Sequence, residues 1–184
     1  MQTLYLHPQN PQPRLLKQIA NALNDAQLII YPTQMGYAIL SHMNAKNNLH
    51  KISTIHQIIN TTHHTLLCRS LSDAAQYADI NNQQFKIIKN QSNDIARFIL
   101  SPTKQTPKYL NTKNAIGIHI TNHPLTNALI DLLETPVVIH ELHHEIIDTT
   151  TTYEIQENLS QHIDILVDAG TINPSPLSTK NLIE

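Results

Sequence analysis

The fold is decided by the stretch Leu28-Ile29-Ile30-Tyr31-Pro32-Thr33-Gln34-Met35-Gly36-Tyr37-Ala38-Ile39-Leu40. Residues 28–31 and 37–40 each have the length and the β-branched or aromatic content of a buried strand. Pro32 has no N–H to donate to a sheet, so strand pairing must lapse beside it, and Gly36 can adopt a positive φ. The stretch therefore predicts two strands that meet at a turn.

The same turn predicts a small binding site. The hydroxyl groups of Thr33 and Tyr37, with Gly36 between them, would lie beside backbone N–H groups that the sheet leaves unpaired. Convergent polar groups of this kind commonly hold a small polar ligand. An ordinary β-turn that binds nothing is the alternative interpretation, because turns of this composition are common.

Composition indicates one domain. The chain has 184 residues, of which 40% are hydrophobic, and this fits a single compact domain over residues 1–184. No apolar stretch approaches the roughly 20 residues of a membrane span, and the N-terminus lacks a basic-then-apolar signal pattern. We therefore expect a cytoplasmic protein without membrane contact. Cys68, the only cysteine, lies in an apolar stretch and is interpreted as an inert core thiol.

Strand patterns alternate with helix patterns along the chain, which predicts an α/β fold. The predicted strands cover residues 3–6, 28–31, 37–40, 64–69, 95–100, 115–120, 136–140 and 163–167. The predicted helices begin at Pro13 and then cover residues 45–59, 72–77, 82–89, 126–133 and 153–159.

The opening stretch resembles the Tyr-Pro-Thr-Asp-x-x-Tyr-Gly-Leu signature of the YrdC/YciO family, and further matches follow in the same order along the chain. The resemblance extends to about Ser178-Thr179, where the family continues with a Ser-Thr-Val-Val-Asp strand that we expect to be missing here. Residues 7–15 are similar to the start of the YciO branch, and residues 65–71 are similar to the strand after the ATP-binding loop. Residues 98–100 are similar to a Thr-Phe-Ile-Leu strand of the family, and residues 116–125 are similar to its Ile-Gly-x-Arg-x-Pro-x-x-Pro segment.

The resemblance implies a fold and an activity. The implied fold is a single-domain, twisted open sheet of mixed parallel and antiparallel strands with flanking helices. The best-known members make threonylcarbamoyl-adenylate for tRNA modification from threonine, bicarbonate and ATP, and they act by positioning and charge stabilisation. By this resemblance Thr33, Gly36 and Tyr37 would hold a threonine-like substrate. ATP and Mg²⁺ would be required only if catalysis survives.

The implied nucleotide site has lost most of its charge. The family uses a Lys-x-Arg triplet, a second basic residue and a Ser-x-Asn pair to neutralise and orient the ATP phosphates. Here these positions carry hydroxyl, imidazole and carboxylate side chains, and a carboxylate that faces a triphosphate repels it. The residues concerned are Thr54 and His56 at the triplet, His63 or His64 near the next polar contact, His119 at an arginine position, and Glu141 and His143 at the pair.

Two further departures accompany this loss. Met35 replaces the second threonine of the signature, and Asn93-Asp94 stands where the family has a Pro-Gly turn. Losing several charge-assisted phosphate contacts, each of about 1.5–3 kcal/mol, would remove most of the affinity for ATP. We therefore expect a relative of threonylcarbamoyl-adenylate synthase whose catalysis is weak or lost.

A different function is suggested by His140-Glu141-Leu142-His143-His144, which matches H-E-x-x-H. On a helix this motif places two imidazoles one turn apart to bind zinc, with Glu157 or His162 as a third ligand. Residues 136–139 instead read as a strand that enters the motif. A strand would separate His140 from His144 by about 13 Å, too far for one metal ion. A zinc hydrolase is kept as a minor alternative.

The second functional class is a non-catalytic protein that binds a nucleotide or structured RNA such as tRNA. Twelve Lys and Arg against fourteen Asp and Glu give a net charge of −2, so no global basic field favours nucleic acid. RNA binding would have to be local, and double-stranded RNA is recognised largely by shape and backbone contacts. The basic residues available for it are Arg14, Lys51, Arg69, Arg97 and Lys104.

Overall fold

The computed structural model describes residues 1–91 and 95–183, and this part of the chain forms a ten-stranded sheet with six flanking helices. The strands are β1 (Gln2–Tyr5), β2 (Ile29–Thr33), β3 (Gly36–His42), β4 (Thr65–Cys68), β5 (Ala78–Asp79), β6 (Ala96–Pro102), β7 (Ile116–Ile120), β8 (Val137–Glu141), β9 (Ile165–Asp168) and β10 (Ser178–Asn181). The helices are α1 (Pro13–Asn24), α2 (Asn48–Ser53), α3 (Leu71–Tyr77), α4 (Asn82–Asn90), α5 (Pro124–Leu133) and α6 (Tyr153–Leu159), and a short 3₁₀ turn covers Lys108–Leu110.

The strand order is β1-β9-β2-β3-β8-β4-β7-β6-β10, with β5 paired to β6. Strands β2 and β3 form the antiparallel hairpin that the opening stretch predicts, and Thr33 pairs with Gly36 at its tip. The expectation that pairing lapses beside Pro32 is wrong, because Pro32 lies within β2 and pairs with Tyr37. Strand β8 is antiparallel to both of its neighbours, β3 and β4, whereas β4 and β7 are parallel. The predicted α/β fold with a mixed parallel and antiparallel open sheet is therefore confirmed.

Side chains alternate between the two faces of the sheet, as the two-residue repeat of a strand requires. On one face, helices α1 and α5 share a buried cluster with Tyr31, Leu67 and Ile139. Residues one position away, such as Ile30 and Leu66, belong to clusters on the opposite face with the remaining helices. Cys68 lies in one of these clusters and is fully buried, so the prediction of a core thiol is confirmed.

The predicted helix over residues 45–59 is wrong in length, because helix α2 covers only Asn48–Ser53. The hydroxyl groups of Ser53 and Thr54 donate to backbone carbonyls three residues earlier, and such bonds compete with continuation of a helix. The following residues instead extend along β8, where Ile59 donates its N–H to the carbonyl of Glu141. Apolar spacing alone did not detect this change of direction.

The expectation that the C-terminal strand of the family is missing is also wrong. Strand β10 (Ser178–Asn181) lies parallel to β6, and flanking backbone bonds join Ser178 to Ile95 and Leu182 to Ile99, each at 3.0 Å. The strand is at the edge of the sheet and largely exposed, so backbone pairing rather than buried apolar side chains fixes it. The apolar signal used for the other strands could not reveal it.

None of the helices in the described part of the chain is long and apolar enough to cross a membrane. The Asn93-Asp94 dipeptide, interpreted as a replacement of the family's Pro-Gly turn, lies outside the described residues.

Candidate functional site

The β2–β3 turn brings the three predicted substrate residues together, but their polar groups are already bonded within the protein. Thr33 is 2% exposed, and its hydroxyl donates to the carbonyl of Gly36 at 2.6 Å and accepts from the N–H of Met35 at 3.2 Å. A hydroxyl has a single O–H to donate. The donor of Thr33 is therefore committed to the turn.

Tyr37 is engaged in the same way. Its hydroxyl donates to the carbonyl of Gly170 at 2.7 Å and accepts from the N–H of Ala169 at 2.9 Å. Burial raises the pKa of Tyr37 to about 12, so the phenol stays protonated. The backbone N–H of Tyr37 donates to the carbonyl of Thr149 at 2.9 Å. The tyrosine thus joins the hairpin to the loops that follow β8 and β9, and its role as a substrate contact stays a prediction.

Gly36 is required by the turn itself. It has a φ of +105°, and a Cβ at this position would lie 2.9 Å from the hydroxyl oxygen and 3.0 Å from the carbonyl oxygen of Thr149. An L side chain would be strained by the dihedral angle and by this contact together. The glycine therefore fixes how closely the turn approaches the loop after β8.

A cavity of about 640 Å³, called the hollow below, opens beside the turn and the end of β8. Among the residues proposed from the sequence, Tyr37 and Glu141 line it. The segment over residues 174–177 forms another wall, and Ser175 ties this segment to the turn by donating its N–H to the carbonyl of Gln34 at 2.8 Å. The remaining walls come from Met35, Ala38, Ile59, Leu142, His144 and residues 148–150.

The described walls of the hollow are acidic and partly apolar. They include Glu141 and Asp148 but no lysine or arginine. Asp148 accepts hydrogen bonds from the N–H and hydroxyl of Thr150 and from the hydroxyl of Thr151. These bonds, first among them that from the Thr150 hydroxyl, lower the pKa of the Asp148 carboxyl and favour its charged form.

Glu141 is held in place by a cation that the sequence did not assign to the site. Arg97 lies 2.7 Å from its Oε1, and the two side chains are only 14% and 16% exposed. The same guanidinium donates to the hydroxyl of Thr65 at 3.3 Å and to that of Thr179 at 3.1 and 3.3 Å. Strands β4, β6, β8 and β10 are thus joined on one face of the sheet by Arg97.

Gly117 makes the path of Arg97 possible. A Cβ on this glycine would lie 2.7 Å from the hydroxyl of Thr65 and 3.1 Å from Cδ of Arg97. The arginine therefore crosses strand β7 at the residue that has no side chain. A larger residue there would push the guanidinium away from Glu141.

The other residues predicted for the nucleotide site do not converge on the hollow. Thr54 is exposed and donates its hydroxyl to the carbonyl of Lys51. His56 is exposed in the turn after α2, and Nδ1 of His63 lies 3.1 Å from the carbonyl of Thr112. None of these three lines the hollow.

His119 and His143 also lie away from its walls. His119 is 2% exposed, and its Nδ1 lies 2.8 Å from the carbonyl of Ala96; burial lowers its pKa. His143 follows β8, and its backbone N–H donates to the carbonyl of Gln57. Glu141 is therefore the member of the predicted nucleotide set that contributes to the hollow, and nucleotide contact by the set stays a prediction.

The H-E-x-x-H motif does not form the helical geometry of a zinc site. His140 and Glu141 end strand β8 and point to opposite faces, and His140 contacts the hydroxyl of Ser41. Burial lowers the pKa of His140 to about 3. In residues 1–91 and 95–183 no three or more His, Cys, Asp or Glu side chains are placed to hold a metal ion.

The basic residues considered for RNA are dispersed. Arg97 is bonded to Glu141, and Arg69 forms an exposed ion pair with Asp131 at 3.0 Å. The other three, exposed on α1, on α2 and after β6, are Arg14, Lys51 and Lys104. Binding of RNA or tRNA stays a prediction.

Sequence reasoning missed three contributors to the site. Arg97 was seen only as a surface cation, and Thr179 was placed where the strand was expected to be missing. The loop at Asp148-Thr149-Thr150 carried no site prediction, although a carboxylate followed by successive hydroxyls is typical of a side-chain-bonded turn. That pattern was the available signal, whereas nothing local reveals a pairing such as Arg97–Glu141, which spans 44 residues.

The model of the Sua5/YciO/YrdC family, described as "Telomere recombination", matches residues 21–179. The uncharacterized protein YciO of Escherichia coli strain K12 is 30% identical over 187 residues, covering 100% of this chain and 91% of the relative. An uncharacterized protein of Haemophilus influenzae is also 30% identical, over 188 residues, with the same coverage.

Solved structures agree with the sequence relatives. The crystal structure of Escherichia coli YciO has a TM-score of 0.89 at 30% identity and covers 100% of this chain and 91% of its own. The crystal structure of P. abyssi Sua5 complexed with L-threonine has a TM-score of 0.83 at 13% identity, covering 98% of this chain and 54% of that one, and it shows likeness of fold alone. The chain belongs to the Sua5/YciO/YrdC family.

Proposed function

We propose that this protein binds a small molecule in the hollow and that its synthesis of threonylcarbamoyl-adenylate is weak or lost. The observation that carries the proposal is the charge of the walls. Glu141 and Asp148 line the hollow without a lysine or arginine among the described wall residues. Arg97, which contacts the hollow's Glu141, is neutralised by that contact.

A triphosphate would meet unfavourable electrostatics at these walls. Catalysis of phosphoryl chemistry depends on cations that are preorganised around the phosphates. A carboxylate near the same position raises the cost of bringing the anion into a site partly shielded from water. The proposal therefore predicts weak ATP binding. ATP with Mg²⁺ would be a substrate of this protein only if turnover survives.

Threonine is the first ligand to test. The P. abyssi relative was solved with L-threonine, and the turn that resembles the family signature is formed here around Thr33, Gly36 and Tyr37. An amino acid needs fewer cations than a nucleotide does, because its single carboxylate is balanced by its own ammonium group. We expect calorimetry to detect threonine binding and little or no ATP binding when the two ligands are titrated separately.

The catalytic part of the proposal is tested by pyrophosphate release. Purified protein with threonine, bicarbonate, ATP and Mg²⁺ should release no more pyrophosphate than the same mixture without protein, while an active synthase of the family serves as the positive control. Robust threonine-dependent release would overturn the proposal.

A pair of variants tests whether charge is the cause. Glu141→Ser removes the carboxylate from the hollow and frees Arg97, so we expect ATP affinity to rise by about tenfold or more, equivalent to one charge-assisted contact. Glu145→Ser removes an exposed carboxylate four residues away and is the matched control. Equal ATP affinities for both variants and the wild type would contradict the electrostatic explanation.

A further inference from the structure

We infer that the hollow takes an organic cation, a protonated amine attached to an apolar body, in preference to an anionic ligand. This inference rests on the proposed function, which assigns small-molecule binding to the hollow, and it names the chemical class of the ligand. Three features of the walls support it: a carboxylate held in a fixed position, a second charged carboxylate, and a substantial apolar surface.

The Glu141 carboxylate is fixed before any ligand arrives. Arg97 holds its Oε1 at 2.7 Å, and Thr65 and Thr179 hold the guanidinium in turn. The second oxygen of Glu141 makes no hydrogen bond with the described residues, so it can accept one from a ligand. An ammonium group is a compact donor that suits a carboxylate already oriented by other bonds.

Asp148 adds a negative charge that Arg97 does not compensate. Its carboxylate is bonded to hydroxyl and N–H groups of Thr150 and Thr151 and is not paired with a lysine or arginine in the described part of the chain. Its backbone N–H donates to a carboxylate oxygen of Glu154. Two carboxylates and one guanidinium leave the hollow with a net negative charge, which attracts a cation and repels a phosphate or a carboxylate.

The rest of the hollow would cover an apolar ligand body. Apolar side chains enter it from the turn, from the residue after β8 and from the 174–177 segment, as Met35, Leu142 and Leu177 illustrate. Burial of apolar surface contributes about 25 cal/mol per Å². A small polar amine would leave this surface unused, whereas an amine with an aromatic or branched body would fill it.

The inference is tested with three probes that share a phenyl ring and a two-carbon arm. The probes are 2-phenylethylamine, 2-phenylethanol and 3-phenylpropionate, and binding is followed by NMR titration of the wild-type protein. We expect the amine to bind at least tenfold more tightly than the alcohol, and the acid to bind most weakly. Binding of the acid as tight as that of the amine, or no binding of the amine at millimolar concentration, would overturn the inference.

A variant separates charge from shape. Glu141→Gln keeps the size of the side chain, so it should lower amine affinity by about tenfold, the equivalent of one charge-assisted hydrogen bond, while alcohol affinity stays unchanged. The exposed Glu145→Gln should change neither affinity. A Glu141→Gln protein that keeps full amine affinity would exclude Glu141 as the partner of the ammonium group and would contradict the inference.

Failure of this inference can be distinguished from failure of the proposed function. If the amine shows no preference but threonine binds and pyrophosphate release stays at background, the ligand class is wrong and the proposed function stands. If robust threonine-dependent release of pyrophosphate is found, the proposed function falls whatever the probes do.

Discussion

The β2–β3 turn and the end of strand β8 form two walls of one hollow, and they are held in different ways. In the turn, the hydroxyls of Thr33 and Tyr37 bond to backbone groups. At the end of β8, Glu141 is held by a side chain, Arg97, which is itself held by threonine hydroxyls. A backbone partner is present whatever the sequence, whereas a side-chain partner can be exchanged.

This difference changes what the sequence resemblance at the turn means. Thr33 and Tyr37 match the family signature and Gly36 lies between them, but each of the three also has a structural task that would retain it without any ligand. The β8 end carries a carboxylate where the resemblance implies a phosphate contact, and Arg97 is present to balance it. The exchanged residues are therefore better indicators of the ligand than the retained ones.

Among the variants that compare the two walls, Gly36→Ala is expected to reduce the free energy of unfolding most. The change combines a φ of +105° with a Cβ 2.9 Å from the Thr149 hydroxyl, and we expect the free energy of unfolding to fall by about 3 kcal/mol or more. Urea denaturation measures this loss of stability. Gly170→Ala is the matched control, because its φ is +86° but no atom lies within 4 Å of the added Cβ, so a loss of about 1 kcal/mol is expected. Equal losses would show that crowding at Thr149 does not constrain the turn.

Arg97→Met tests the other wall. It leaves Glu141, 16% exposed, without its cation, so we expect a loss of about 2 kcal/mol in the free energy of unfolding. Arg69→Met breaks the exposed ion pair with Asp131, whose side chains are 44% and 58% exposed, and should change stability by at most about 0.5 kcal/mol. Adding Glu141→Gln to Arg97→Met should recover part of the loss. Without that recovery, the cost would lie in packing of the arginine rather than in charge.

Mild acid should lower the free energy of unfolding through His140 on strand β8. Burial lowers the pKa of His140 from 6.5 to about 3, so below pH 6.5 the unfolded chain takes up a proton that the folded protein does not. Stability therefore falls as the pH falls, by about 1.4 kcal/mol from this residue between pH 7.5 and 5.5. Urea denaturation at both pH values should give a smaller difference in the free energy of unfolding for His140→Asn than for the wild type.

A matched control belongs to this measurement. His162→Asn serves this purpose, because it makes the same exchange at an exposed histidine. If His140→Asn keeps the full wild-type dependence, the acid sensitivity arises from other histidines, of which the buried His119 and the partly buried His64 and His123 also have pKa values lowered by burial.

Most of the fold could be predicted because its signals are local. Apolar runs fixed the hairpin, and helical spacing after Pro13 fixed α1, which the structure begins at that proline. Helix α2 was overextended because the hydroxyl bonds of Ser53 and Thr54 that end it carry no apolar signal. Strand β10 was missed because an exposed edge strand is specified by backbone pairing with β6.

The candidate site was less predictable, since its decisive contacts join distant residues. The resemblance led to Tyr37 and Glu141, and both line the hollow. Alignment with a family motif could not show that Nδ1 of His119 lies 2.8 Å from the carbonyl oxygen of Ala96, or that Nδ1 of His63 lies 3.1 Å from that of Thr112. Nor could it show that a guanidinium from β6 crosses Gly117 to reach β8, because that path depends on three-dimensional register.

The position of β10 has a consequence for folding order. Thr179 and Arg97 are separated by 82 residues, and β10 pairs with β6 only after the chain has passed through every other strand. Contacts between residues so far apart in sequence form slowly, because a long loop must close first. We expect Arg97 to settle over Gly117 after local contacts such as the β2–β3 hairpin have formed, so the hollow would gain its final electrostatic character later than the turn beside it gains its shape.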